Sequence, residues 1–159
     1  MIVVEVEIED SSWSQVDPAI EQIVQRTVTT ALADAHRGEV TVLLTDDEAL
    51  ADLNIRFREK AGSTNVLSFP AALTAKPHLG DLALAYGVCA REAAEQGKSL
   101  LAHLQHLVAH GALHLVGFDH QTDAEAEVME AREREILTRL GLPDPYAADG
   151  HSSAASCQR

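Results

Sequence analysis

The fold of this chain is decided by the stretch SLLAHLQHLVAHGALHLVGFDH, residues 99–120. Ser99 is a residue type that caps helix N-termini with its side-chain oxygen, and Gly117 is one that ends helices in a left-handed conformation. The stretch between them is therefore predicted to form one long helix. We expect this helix to carry the chemistry of the protein, because it contains several of the chain's eight histidines.

Three histidines of this stretch have the spacing of ligands for one metal ion. His110 and His114 are four residues apart, so they project from the same helix face with about 6 Å of rise between them. Gly117 lets the chain fold back, which brings His120 towards the same point. Three imidazoles suit one zinc ion and leave its fourth tetrahedral position open to water. Such a zinc ion activates water, so the predicted chemistry is hydrolysis.

The neighbouring polar residues are predicted to support this site or the core. His103 lies on the same helix face as His110 but about 10 Å away along the axis, and His106 is rotated off that face. Neither is predicted to be a ligand. Asp119 has two open interpretations: it orients the imidazole of His120 by accepting its second N–H, or it is an ordinary turn aspartate.

The rest of the chain mixes strands with helices. Alternating or β-branched apolar residues predict strands at 2–9, 39–45, 65–70 and 81–88. Capping and stop signals predict helices from Asp17 to about residue 35, from a Thr45–Glu48 capping box to about residue 56, at 88–96, and from a Thr122–Glu125 capping box to Gly141. The predicted fold class is α+β, a small mixed four-stranded sheet packed by about five helices, with the zinc site at the end of the long helix.

Length and composition predict one domain with a short tail. A chain of 159 residues with 46% hydrophobic residues matches the usual size of a single domain of about 100 to 150 residues. We assign the domain to residues 1–142. Residues 143–159 are small, polar and without periodicity, so a disordered tail is expected there.

Charge and hydropathy exclude some classes of protein. The net charge of −13 argues against non-specific coating of nucleic acid, although the basic run Arg56, Arg58 and Lys60 leaves room for a local site. No apolar run approaches the roughly 20 residues of a membrane span, and the first residues lack the basic segment of a signal peptide. We therefore expect a cytoplasmic protein without a membrane partner.

The histidine spacing equals that of the metzincin proteases, with one difference. In those proteases a glutamate follows the first histidine and serves as general base. Here that position is Gly111, which has no side chain to move a proton and suggests close packing of the helix backbone. Peptide hydrolysis by that route is therefore disfavoured.

Four motifs in order resemble the bacterial YbeY family of endoribonucleases that mature ribosomal RNA. They are LNIRFREK at 53–60, STNVLSFP at 63–70, GDLAL at 80–84 and HGALHLVGFDH at 110–120. The resemblance covers about residues 40–140. It implies a zinc-dependent, single-strand-specific endoribonuclease that acts on 16S rRNA 3′ ends and in ribosome quality control. It also implies one zinc ion on His110, His114 and His120, a functional Arg58, and the small ribosomal subunit and its proteins as partners, with no DNA substrate.

The residues themselves agree with a role for Arg58. A guanidinium offers a planar fork for phosphate oxygens and stabilises charge on a transferring phosphoryl group. Arg56 and Lys60 either hold flanking phosphates or form a solvated helix end. The general base is left open between a zinc-activated hydroxide and assistance from Asp81 or Asp119.

Two other functions stay open from the sequence. One is a ribosome assembly factor in which the zinc is mainly structural, since an acidic protein can dock on basic ribosomal proteins. The other is a small metalloprotease, which Gly111 disfavours.

Overall fold

A mixed four-stranded sheet forms the centre of the protein. The structure is a computed structural model, and it describes residues 2–32, 37–58, 65–71, 78–118 and 122–142, with backbone alone at 57 and 58. The strands are β1 (Ile2–Ile8), β2 (Gly38–Thr45), β3 (Val66–Pro70) and β4 (His78–Ala85). Their order is β1-β2-β4-β3, with β1, β2 and β4 parallel and β3 antiparallel to β4.

Five α-helices pack around this sheet in the described part of the chain. They are α1 (Ile20–Leu32), α2 (Asp47–Arg58), α3 (Tyr86–Gln96), α4 (Leu100–Leu115) and α5 (Asp123–Arg139). The prediction of an α+β fold with a mixed four-stranded sheet and five helices is confirmed. The predicted tail, 143–159, lies outside the described residues. None of the described helices combines the length and the hydropathy that a membrane span requires.

Helix α4 is surrounded by other elements. Every residue from His103 to Leu113 is buried, and the helix contacts α1, α3, α5, β3 and β4. The predicted ends are confirmed: Ser99 Oγ accepts a hydrogen bond from the Ala102 amide at 3.1 Å, and Gly117 has a φ of 104°. A helical segment that is buried on all sides belongs to the core, so His103, His106 and His110 face protein rather than solvent.

The start of α2 differs from the prediction. The Thr45–Glu48 capping box is absent, and Asp46 caps the helix instead, its Oδ1 accepting the Ala49 amide at 2.8 Å. Thr45 belongs to β2, where its hydroxyl bonds to Glu9 at 3.1 Å. The local motif assigned Thr45 to the helix cap, but in the structure Thr45 pairs as the last residue of β2.

Two other elements also differ from the prediction. Strand β4 runs from His78 to Ala85, and α3 begins at Tyr86, two residues before its predicted start. A short 3-10 helix at 11–15, which the sequence did not suggest, buries Trp13 completely. The indole Nε1 donates to the Thr45 carbonyl at 2.9 Å and the ring lies edge-on to Tyr86. Contacts with residues far away in the chain thus stabilise this 3-10 helix.

The glycine of the GDLAL motif is required by close approach of two strands. Gly80 has a φ of 151°, and a Cβ there would lie 2.6 Å from the Phe69 carbonyl oxygen and 2.7 Å from a Leu115 methyl. Gly97 also has a positive φ, but a Cβ there would meet nothing within 4 Å. A comparison of substitutions at Gly80 and Gly97 therefore distinguishes the cost of steric overlap from the cost of backbone strain.

We expect Gly80→Ala to lower the free energy of unfolding by about 3 kcal/mol, because strain and overlap add. Gly97→Ala, the control, should cost only about 1 kcal/mol, the strain alone. Urea denaturation followed by circular dichroism measures both. Equal losses in the two variants would contradict the role assigned to the Phe69 carbonyl.

Candidate functional site: a histidine pair on a buried helix

His110 and His114 meet at one point. Their Nε2 atoms are 3.2 Å apart, and their rings stand nearly perpendicular with centroids 4.7 Å apart. His110 is 4% exposed, whereas His114, one helical turn later, is half-buried. The His110 imidazole therefore lies inside the core, and the His114 imidazole borders the protein surface.

The spacing of the two nitrogens suits a shared metal ion. Two nitrogens on one tetrahedral zinc ion lie about 3.3 to 3.4 Å apart, given zinc–nitrogen bonds of about 2.0 to 2.1 Å. The observed 3.2 Å is close to that separation. The pair thus fits two ligand positions of one zinc ion.

The third predicted ligand lies outside the described residues. His120 and its neighbour Asp119 are not described, and the described chain before them ends at Phe118. The Phe118 amide donates back to the Leu113 carbonyl at 3.0 Å, so the chain turns at the end of α4 that carries His114. Within the described residues, no group of three or more histidine, cysteine or carboxylate side chains is arranged so that it could hold a metal ion.

A buried carboxylate supports the pair from α5. Glu133 is 0% exposed. Its Oε2 is 2.6 Å from His110 Nδ1 and its Oε1 is 2.8 Å from His106 Nε2. Burial alone would raise the pKa of Glu133, but hydrogen bonds from His106 and His110 outweigh it, so the pKa lies well below its ordinary value. His106 itself is buried and contacts this carboxylate, in line with its exclusion as a ligand.

Glu133 was not singled out from the sequence, although a signal was present. The apolar residues Val128, Met129, Ile136 and Leu137 predict a buried stripe on α5, but Val128 is 59% exposed, so its place in that stripe is wrong. The buried residues are Met129, Glu133, Ile136 and Leu137. Glu133 is four residues after one apolar residue and three before the next, so helical spacing alone places a charge on the buried face.

Gly111 packs against the sheet, which agrees with the close backbone packing that a glycine within a helix suggests. A Cβ there would lie 2.9 Å from a Leu82 methyl and 3.1 Å from the Ser68 hydroxyl oxygen. That hydroxyl also donates to the Gly111 carbonyl at 3.3 Å. The residue that would be the metzincin glutamate therefore faces β3 and β4, where a longer side chain has no room.

The basic run begins at the end of α2. Arg58 is the last residue of that helix, and its side chain and Lys60 lie outside the description. Arg56 is exposed and its Nε is 3.2 Å from Asp52 Oδ2 within the same helix. For Arg56 the structure therefore shows a surface ion pair, and for the other two residues the predicted roles stay predictions.

Asp81 is placed away from the histidine pair. In β4 its neighbour Leu82 faces Gly111 of α4, and successive side chains of a strand point to opposite faces. Its Oδ1 is 3.1 Å from His78 Nε2, and it lines an apolar cavity of about 350 Å³ near Leu53 of α2. The structure thus does not bring this candidate base to the candidate metal site.

A second buried group ties α4 to the start of β3. His103, 1% exposed, has its Nε2 2.9 Å from Glu92 Oε1, and the Asn65 amide donates to the same oxygen at 3.0 Å. Partial burial would raise the pKa of Glu92, but these hydrogen bonds lower it below its ordinary value. His103 is thus a buried residue paired with a carboxylate; of the two predicted roles, support of the site or of the core, its burial favours the core.

This lowered pKa predicts a pH-dependent loss of stability. Above its ordinary pKa of 4.5, ionised Glu92 stabilises the folded state, and that stability is lost as the pH falls through the lower folded pKa. Glu92→Gln should therefore be less stable than wild type near neutral pH, with the difference shrinking in acid. Urea denaturation over this pH range measures it, with the exposed Glu95→Gln as the control on the same helix. A difference that stays constant with pH would refute the assignment.

The fold and the site together define a class of protein: a small α+β domain in which a buried helix presents paired histidines close to its C-terminal end. The family model described as Endoribonuclease YbeY matches residues 5–141. The chain belongs to this family.

Curated relatives agree over nearly the whole chain. A protein of Maricaulis maris named Endoribonuclease YbeY is 51% identical, the match covering 92% of each chain. One of the same name from Rhodopseudomonas palustris is 48% identical over 94% of this chain and 83% of its own. The solution structure of TM1509 from Thermotoga maritima is similar in fold, with a TM-score of 0.54 and 22% identity over 91% of this chain and 98% of that one.

Proposed function

We propose that this protein is a zinc-dependent, single-strand-specific endoribonuclease that matures the 3′ end of 16S rRNA and acts in ribosome quality control in the cytoplasm. Relatives about 50% identical carry the name of an endoribonuclease, which supports the reaction class. The observation that carries the metal part of the proposal is the 3.2 Å approach of His110 Nε2 to His114 Nε2.

Three histidines would hold the ion. His110 and His114 supply converging Nε2 atoms, and His120 follows the turn that begins at Gly117. A bound zinc ion supplies Lewis acidity towards a phosphoryl oxygen. His110 is buried and His114 borders the surface, so an RNA strand would reach the site from the side of His114.

Arg58 would bind the phosphate that reacts. Its guanidinium donates to phosphate oxygens in a planar fork and neutralises charge that develops on them. With a net charge of −13, the protein as a whole repels RNA, so productive binding has to come from such local groups. Arg56 and Lys60 are candidates for the flanking phosphates.

Gly111 and Asp81 are poor candidates for the proton acceptor. Gly111 has no proton-transfer group and no room for one, and Asp81 lies on the other face of the sheet. Asp119 and solvent water are the remaining candidates. If the RNA 2′-hydroxyl attacks, the product carries a cyclic phosphate, whereas attack by water leaves a linear one, so the product ends distinguish the two routes.

We expect the purified protein to hold about one zinc ion per chain and to cleave single-stranded RNA but not duplex RNA. His114→Ala should lose zinc and cleavage together. Arg58→Ala should keep zinc and lose about 100-fold or more in cleavage rate, because one group that stabilises transition-state charge is removed. Elemental analysis and gel assays of labelled RNA measure these results.

The matched control is Arg139→Ala, which removes an exposed arginine that pairs with Glu135 on α5 and should leave both properties unchanged. A wild type that purifies without zinc and does not bind added zinc contradicts the metal part. Cleavage that persists in both site variants indicates a contaminating nuclease. Zinc binding without RNA cleavage would favour an assembly factor, and cleavage of casein would favour a protease.

A further inference from the structure

Glu133 is a charged residue on a helix face whose other buried residues are apolar. It lies on α5 between Met129 and Ile136, all three of them buried. Burial of a carboxylate costs free energy unless hydrogen bonds compensate. Its two oxygens face two imidazoles of α4, those of His106 and His110, so the compensation comes from the helix that carries the candidate metal site.

The direction of these hydrogen bonds determines where the imidazole hydrogens are. An ionised carboxylate can only accept, so the nitrogen that faces each oxygen carries the hydrogen. In His110 that nitrogen is Nδ1, 2.6 Å from Glu133 Oε2. A neutral imidazole has one N–H, so Nε2 of His110 then carries a lone pair. That is the atom 3.2 Å from His114 Nε2.

His106 holds the carboxylate in place. It lies one helical turn before His110, and its Nε2 is 2.8 Å from Glu133 Oε1. With one oxygen engaged by each histidine, rotation of the carboxylate would break both hydrogen bonds. The orientation of the His110 ring is thus fixed by Glu133 of α5, which is itself held by His106 of α4.

We propose that Glu133 is a positioning residue for a metal ion: through His110 Nδ1 it fixes the tautomer and the ring orientation that present Nε2 to the ion, with His106 as its anchor. The proposal rests on the zinc site of the proposed function. Carboxylates that accept the second N–H of a ligating histidine typically contribute about 10- to 100-fold to metal affinity.

The experiment measures zinc affinity by competition with a chromophoric chelator. Glu133→Gln retains the shape but offers one acceptor oxygen to two histidines, so we expect about 10-fold weaker binding, and Glu133→Met offers none, so we expect about 100-fold. Glu135→Gln is the matched control, because that glutamate is two residues along α5 and pairs with Arg132 and Arg139 at the surface. It should bind zinc as the wild type does.

A second readout begins with the wild type and does not depend on zinc binding. Nitrogen-15 NMR of the metal-free wild type reports which ring nitrogen of His110 carries the hydrogen, and we expect Nδ1–H. Glu133→Gln and Glu133→Met, checked for folding by circular dichroism, should show an increased Nε2–H population. A purely structural role for Glu133 would change stability and leave this tautomer ratio unchanged.

Two results would overturn the proposal: a His110 with Nε2–H in the metal-free wild type, or a folded Glu133→Met that binds zinc within twofold of wild type. Failure of the proposed function is a different result. If the wild type binds no zinc, the metal site is refuted, while the NMR measurement still decides whether Glu133 sets the His110 tautomer.

Discussion

The burial of helix α4 from His103 to Leu113 is the constraint on which the other features depend. A helix of this kind has no face on which polar groups can simply be solvated, so each one needs a partner within the protein. His103 has Glu92, His106 has Glu133, and His110 has both Glu133 and the neighbouring His114. These pairings connect α4 to α3 and α5 in specific registers, which apolar packing alone specifies less strictly.

The same burial shapes the candidate site. His110 is held within the core and His114 borders the protein surface, so the two imidazoles that would hold a metal ion lie at the boundary between packed core and solvent. On a different face of the helix, Gly111 allows the backbone to approach Leu82 of the sheet. One residue step along α4 therefore separates a candidate ligand position from a packing position, and the close packing at Gly111 leaves no room for the protease glutamate.

Local signals in the sequence predicted helix ends well where no other element competed for the same residues. The Ser99 cap, the positive φ of Gly117 and the Thr122–Glu125 capping box are all present. The capping box at Thr45 failed because β2 extends through that residue and Glu9 takes its hydroxyl. The 3-10 helix around Trp13 was not predicted: Asp10 caps it locally, but the indole is buried by contacts with Thr45 and Tyr86, which are distant in the chain.

By itself, the sequence determined the helix that carries the site, the four-residue spacing of His110 and His114, and, through its motifs, the family. These properties follow from one helical period and from residues adjacent in the chain. Only the tertiary structure decided which groups support the histidines. In it, Asp81 lies on the far face of the sheet, and Glu133, 23 residues from His110 in the chain, contacts the His110 imidazole. Such pairings depend on how helices pack and on which of their faces are buried, and local periodicity carries no information about the partner.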